Sequence, residues 1–264
     1  MLKKYIQTLL VVSLVIAGVV QISAQSGSFV YPGEELTYRV SYLNISLGVI
    51  KSVTEPYTLL NGKKVVKVKV YIDSHPNIPF VSLHAVYESW MDSSASYSLK
   101  FTANTEVEDK KWEFDQYVFD YENRKIVADK YRDKQKIKSK VIDIKKRYND
   151  GSSLLYAARS LLFSKKSLRL PTVIMDDTVN TIINFGGVKQ EATIDASSYP
   201  IKTVYFGGDA DWTGIYGLSG RFEGWFSDDE TRIPIKAKMK LYVGSVTIEL
   251  QSWRRGTWQP PKAD

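Results

Sequence analysis

Along most of the chain, apolar and polar residues alternate with a period of two. In Thr37–Tyr42, Tyr38, Val40 and Tyr42 alternate with Thr37, Arg39 and Ser41. In Val66–Ile72, Val66, Val68, Val70 and Ile72 alternate with Lys67, Lys69 and Tyr71. In Ile233–Leu241 the odd positions are all apolar, and Lys236, Lys238 and Lys240 hold even ones. Successive side chains of a strand point to opposite faces, so each segment reads as a strand with one packed and one wet face. The pattern predicts strands near 34–43, 46–55, 64–73, 80–91, 96–107, 111–121, 124–131 and 135–146. A second set falls near 178–186, 188–196, 201–208, 216–226, 232–242 and 245–253. Asn61-Gly62, Glu122-Asn123 and Gly186-Gly187 read as hairpin turns, because these residue types tolerate positive φ. Pro234 marks a strand start or an edge.

Residues 150–163 break this rhythm. Leu154, Ala157, Ala158, Leu161 and Leu162 recur at helical spacing and share one face. Asp150 or Ser152 can cap the N-terminus, Lys165 and Lys166 suit the C-terminal dipole, and Pro171 stops continuation. The fold expected is mainly β: a curved antiparallel sheet forming an open barrel or two stacked sheets, with one helix near 152–164 packed against it. The helix joins two meander halves, about 34–146 and 178–253. Gln259–Asp264, with its paired prolines, reads as a frayed tail.

The N-terminus has a different pattern. Lys3 and Lys4 precede a run from Leu9 to Val20 broken only by Ser13 and Gly18, and Ala24 follows at a cleavage position. This is the layout of a secretory signal peptide over residues 1–24, leaving 25–264 as a single β-rich domain. The apolar run is about a dozen residues, short of the roughly 20 that span a bilayer. No later stretch reads as a membrane-crossing helix. The expected location is the periplasm or the cell exterior. The chain has no cysteine, which removes disulfides, thiol nucleophiles, Cys-based metal sites and a lipobox. At 264 residues, 44% hydrophobic and 25% charged, it can bury a core without cross-links. Its formal charge is +7, a balance that permits contact with anionic surfaces. An exported protein has no call on nucleic acid.

Three segments carry a family resemblance. Tyr31–Tyr42 resembles the opening strand of the bacterial domain of unknown function 3108, with Gly48 in the strand that follows. Ser152-Ser153-Leu154-Leu155-Tyr156-Ala157-Ala158-Arg159 is similar to that family's mid-chain helix, with Ala157-Ala158 in place of a bulkier pair. Trp225–Ile235 is similar to its late strand entry, and Gly244 with Val246–Leu250 fits its closing strand. The resemblance implies an exported, curved antiparallel sheet or open barrel and no particular activity. The architecture is also similar to that of envelope carriers that hold acyl chains in a half-open barrel.

Candidate chemistry is sparse. His75 and His84, with Asp73 or Glu88, have the residue types of a metal site, but a loop and a strand histidine with separate tasks is the favoured reading. Ser93-Ser94-Ala95-Ser96 reads as a hairpin loop, and the chain lacks the G-x-S-x-G of a nucleophile elbow. Glu106/Glu108 and Asp228/Asp229/Glu230 are the carboxylate groups a glycan hydrolase would use; they also suit solvated turns. Gly207–Gly214 carries alternating Asp oxygens and reads as a wide hairpin loop rather than a Ca²⁺ loop. No catalytic residue, metal ligand or cofactor is assigned. Lys236, Lys238 and Lys240 form a basic strip, and Trp90 and Trp112 are large amphipathic surfaces. These five are the candidate ligand-binding residues. The leading expectation is a non-catalytic envelope protein holding a lipid-like or anionic amphiphile in its curved sheet. A structural or interaction module docking on an envelope protein partner is the second, and a glycan hydrolase the third.

Overall fold

The computed structural model describes residues 28–76, 78, 82–107, 111–212, 219–241 and 244–264. The leader and Glu108, Thr213 and Gly214 lie outside these residues. Fifteen strands follow in the order β1 (Glu35–Tyr42), β2 (Ile45–Thr54), β3 (Thr58–Leu60), β4 (Lys63–Ser74), β5 (His84–Asp92), β6 (Ser98–Glu106), β7 (Trp112–Asp120), β8 (Lys125–Arg132) and β9 (Gln135–Asp143). Helix α1 (Ser153–Leu161) comes next, then β10 (Ser167–Ile174), β11 (Asp177–Ala192), β12 (Ile201–Ala210), β13 (Gly220–Ser227), β14 (Pro234–Lys240) and β15 (Ser245–Arg254). All belong to one antiparallel sheet, ordered β10-β11-β12-β13-β14-β15-β1-β2-β4-β5-β6-β7-β8-β9, with β3 paired to β4. The first and last strands meet in its middle, where β1 pairs with β15. The two expected meanders are therefore two arms of one sheet.

The alternation places one face of each arm inside. Leu36 and Tyr38 of β1 are buried against Ile235 and Leu250. Phe101, Tyr117, Phe119 and Ile126 pack together in the N-terminal arm with Val173 of β10. Helix α1 lies between the arms. Tyr156 meets Val66, Val68 and Met91, while Ala158 and Leu162 meet Ile183, Phe185, Phe206 and Phe226. Gly224 makes room for this packing, because a Cβ there would overlap the Phe206 ring. At Gly48 a Cβ would overlap the Asp73 carbonyl across the β2–β4 pair.

The sheet does not close. Strands β9 and β10 end its two arms, and side chains bridge the seam. Lys138 pairs with Asp176 at 2.6 Å, and Lys140 reaches Asp177 and the Asp176 carbonyl, each at 2.8 Å. Beside them, Asn149 exchanges backbone hydrogen bonds with Pro171 and Val173 of β10.

Three expectations are corrected. Gly186-Gly187 is not a hairpin: β11 runs through it with a bulge between Asn184 and Val188, and Gly187 has φ of 69°. A bulge of this kind and a tight turn both place a glycine at positive φ, so the residue signal is the same. The true hairpin turns at Met175-Asp176, with φ of 49° and 62°. Its first strand, β10, contains Pro171, which an edge strand accommodates. The Gly207-Gly208-Asp209 run belongs to β12, with Gly207 opposite Glu223 and Gly208 opposite Phe222, and is not a loop. The C-terminal tail is docked: Lys202 N–H donates to Pro261 O at 2.8 Å and Ala263 N–H to Pro200 O at 2.9 Å.

Candidate functional site

The three segments that carry the family resemblance converge on one buried polar cluster. Glu34 precedes β1, Arg159 sits on α1, Thr231 lies in the turn between β13 and β14, and Arg255 follows β15. Glu34, Arg159 and Arg255 are 1%, 0% and 2% exposed. Arg159 donates from Nη1 to Glu34 Oε1 at 2.7 Å, and from Nη2 to Glu34 Oε2 at 3.1 Å and Thr231 O at 2.9 Å. Arg255 completes the group with charge-assisted hydrogen bonds to Glu34 Oε2 and the Ser28 carbonyl. Burial, the largest single influence, would push the Arg159 guanidinium down; the Glu34 charge and its hydrogen bonds, with smaller help from Tyr156 and Tyr38, together outweigh it and hold the group above the ordinary arginine value. The Tyr38 hydroxyl is buried without a hydrogen-bond partner among the described residues, and burial drives it well above the ordinary tyrosine value.

Two further groups fix the turn and the helix ends. Arg232 donates from Nη1 to the carbonyls of Arg159 and Ser160, both at 3.0 Å, satisfying the last turn of α1. Asp229 accepts at Oδ1 from Ser227 Oγ, Thr231 N and Oγ1, and Arg232 N, and at Oδ2 from Trp258 Nε1 at 2.8 Å. At the other end of α1, Asp150 is the cap. Its Oδ1 accepts the N–H groups of Ser152 and Ser153 at 2.8 and 2.9 Å, and its Oδ2 accepts the Ser89 and Ser98 hydroxyls at 2.6 and 2.7 Å. Ser152 itself makes no capping bond.

Sealed from solvent, this cluster cannot touch a substrate. It joins the chain before β1, the helix, the β13–β14 turn and the chain after β15. Burial opposes ionisation of Asp229, but its hydrogen bonds together win and hold its carboxyl below the ordinary value. The linked stability is therefore full above the ordinary carboxylate pKa of about 3.9 and is lost as pH falls through the lower folded value. Asp229→Asn turns an amide N–H toward the Trp258 N–H. The expected loss at neutral pH is about 1–3 kcal/mol, shrinking below about pH 3.9 as the wild-type carboxylate is itself neutralised. Urea unfolding at both pH values measures this; an equal loss at both would refute the linkage.

The sequence-selected residues lie elsewhere and apart. Lys236 bonds Glu249 at 2.8 Å, Lys238 lies 5.8 Å from the centre of the Trp225 ring, and Lys240 ends β14 exposed. Trp90 stands between Lys67 and Lys100, each 4.9 Å from its ring centre, and Trp112 begins β7. Strands β15, β1, β2 and β4 separate β14 from β5, so the basic strip and the tryptophans do not meet. Lys236, Lys238, Lys240 and Trp90 lie on the outer face, opposite in phase to the buried Ile235 and Met91 of their strands. Their side chains therefore point away from the packed inner face. His84 Nδ1 lies 3.0 Å from Asp73 and His75 Nε2 3.0 Å from Ser46; among the described residues no group of three His, Asp or Glu could hold a metal ion. Asp228 pairs with Lys189 while Asp229 is turned inward, so these carboxylates do not face each other. Ser93–Ser96 is the β5–β6 hairpin loop, organised by the Asp92 carboxylate. An open groove of about 350 Å³ lies at the seam, lined in part by Lys145, Lys146, Tyr148 and Asn180.

A curled, unclosed antiparallel sheet with one internal helix defines a β-barrel-like protein. Among solved structures, the chain is similar to a β-barrel-like protein of domain of unknown function 1849 from Brucella abortus, with a TM-score of 0.56 and 14% identity over 84% of this chain and 97% of that one. No curated protein matches the chain. The chain belongs to the family described as protein of unknown function DUF3108, whose model matches residues 37–251.

Proposed function

We propose that the protein is an exported, non-catalytic envelope module that makes its contacts through the outer face of the sheet. The observation that carries this reading is the filled inner face. A cavity that held an acyl chain would leave its lining side chains accessible. Phe101, Tyr117, Phe119 and Ile126 of one arm, and Phe185, Phe206, Phe226 and Leu162 around the helix, are at most 8% exposed. Helix α1 packs between the two arms, where a half-open carrier would hold its ligand. The signal-like N-terminus and the absence of cysteine support export.

Native mass spectrometry of protein purified from the periplasm without detergent tests both parts. The expected mass is that of the chain beginning at Gln25, with no adduct. Extra mass that organic solvent removes would establish an enclosed amphiphile and overturn the outer-face reading. An unprocessed N-terminus confined to the cytoplasm would overturn export.

A further inference from the structure

Basic charge is concentrated in one stretch of the fold. Residues 130–147 contain nine Lys or Arg and two Asp, a net +7 that equals the formal charge of the whole chain. They comprise the end of β8, the edge strand β9 and the segment after it. Part of this charge is matched: Lys130 and Arg132 by Glu113, Lys136 by Asp129, Lys138 by Asp176 and Lys140 by Asp177. Lys134, Lys145 and Lys146 are exposed and have no acidic partner among the described residues. Lys134 sits in the β8–β9 turn and Lys145 beyond the far end of β9, so a strand of nine residues holds them about 30 Å apart. A strip of that length suits an extended anionic surface rather than a single small anion.

The same edge exposes apolar side chains. Val118, Val127 and Val141 lie directly opposite one another across β7, β8 and β9. Val118 and Val141 are 36% and 61% exposed, and Ile137 of β9 is 51% exposed. A soluble polyanion would engage only the lysines. Apolar side chains set among lysines match a bilayer interface, where head groups take the charge and the acyl boundary takes the methyl groups.

We propose that the outer face of β7–β9 and its basic edge dock on an anionic lipid bilayer. Lys134, Lys145 and Lys146 meet the phosphates, and Ile137 and Val141 enter the acyl boundary. This inference rests on the outer-face reading and names its partner.

Co-sedimentation with phosphatidylcholine vesicles, with and without phosphatidylglycerol, tests it on protein purified without detergent from the periplasm. Binding is expected only with phosphatidylglycerol, and is expected to fall steeply as salt shortens the screening length. Lys134→Glu/Lys145→Glu/Lys146→Glu is expected to weaken it about a hundredfold or more, and Ile137→Ser/Val141→Ser about tenfold. All these side chains are exposed and every variant shares one N-terminus, so matching thermal melts isolate the surface effect. No binding, equal binding to both vesicles, or unchanged binding of the charge-reversed variant would each overturn the proposal. Full vesicle binding by the double serine variant, with competition by soluble polyphosphate, would assign the surface to a polyanion and overturn the bilayer. Failed vesicle binding with an adduct-free mass sinks this inference alone, whereas a lipid adduct sinks the reading beneath it.

Discussion

Glu34→Ala is expected to destabilise the protein by about 3–5 kcal/mol, a large share of the stability of an ordinary domain. The carboxylate is the shared acceptor of Arg159 and Arg255, and all three side chains are buried. Removing it leaves two guanidinium groups buried together with nothing between them. The cost is that of unpaired buried charge, not the net value of the pair, which is small when both ions are compared with apolar groups of similar volume. Replacing Glu34, Arg159 and Arg255 together by apolar residues should therefore cost less than Glu34→Ala alone. Urea denaturation of the single and triple variants decides the point. A single variant within 1 kcal/mol of wild type, by the scale of a solvated surface pair, would show that water enters the cluster.

Asp150→Ala is expected to cost about 3 kcal/mol or more, because it strands several buried donors at once. The N–H groups of Ser152 and Ser153 lose their acceptor at the start of α1, and the Ser89 and Ser98 hydroxyls lose theirs. Asp150→Asn is expected to cost much less. Its oxygen still accepts both N–H groups, and its amide donates to hydroxyls that can rotate. Burial is the largest influence on the Asp150 carboxyl and pushes it up, against the hydrogen bonds that pull it down. A raised folded pKa means that stability linked to this group is full below the ordinary carboxylate value and is lost as pH rises through the folded value. The penalty of the asparagine variant should accordingly shrink as pH rises above about 4. Thermal unfolding across pH 3–7 measures it; a penalty that grows with pH would show that the hydrogen bonds, not burial, dominate.

Local pattern made most strands legible. Tyr38, Val68 and Ile235 fall on packed faces because strand periodicity dictates it, and Asn61-Gly62 turns a hairpin, with φ of 50° and 75°. Strand β10 was illegible because Ser167–Ile174 alternates only over its first four residues before Pro171 interrupts it. The bulge at Gly187 shares its residue signal with a turn. The docked tail depends on contacts with Pro200 and Lys202, about 60 residues away in sequence. The buried cluster shows the limit most clearly. Glu34, Arg159, Thr231 and Arg232 lie within segments that the family resemblance singles out. Their convergence depends on contacts such as Glu34–Arg159, 125 residues apart, and no local period announces it. The lysines selected as a strip on β14 lie on the outer face, with Lys236 ion-paired to Glu249 and Lys238 beside Trp225; alternation gives the side of the sheet but not what lies opposite.

The pairing of β1 with β15 sets an order of events. The joint between the arms is made by residues far apart in the chain: Arg39 and Glu249 are separated by 210 positions. The strand that unites the two arms is the last to be delivered, so neither arm can be locked to the other until β15 arrives. Such non-local closure folds slowly. The final cooperative transition therefore waits for β15. The middle of the sheet thus serves as a completion check, one that a molecule lacking its last strand fails.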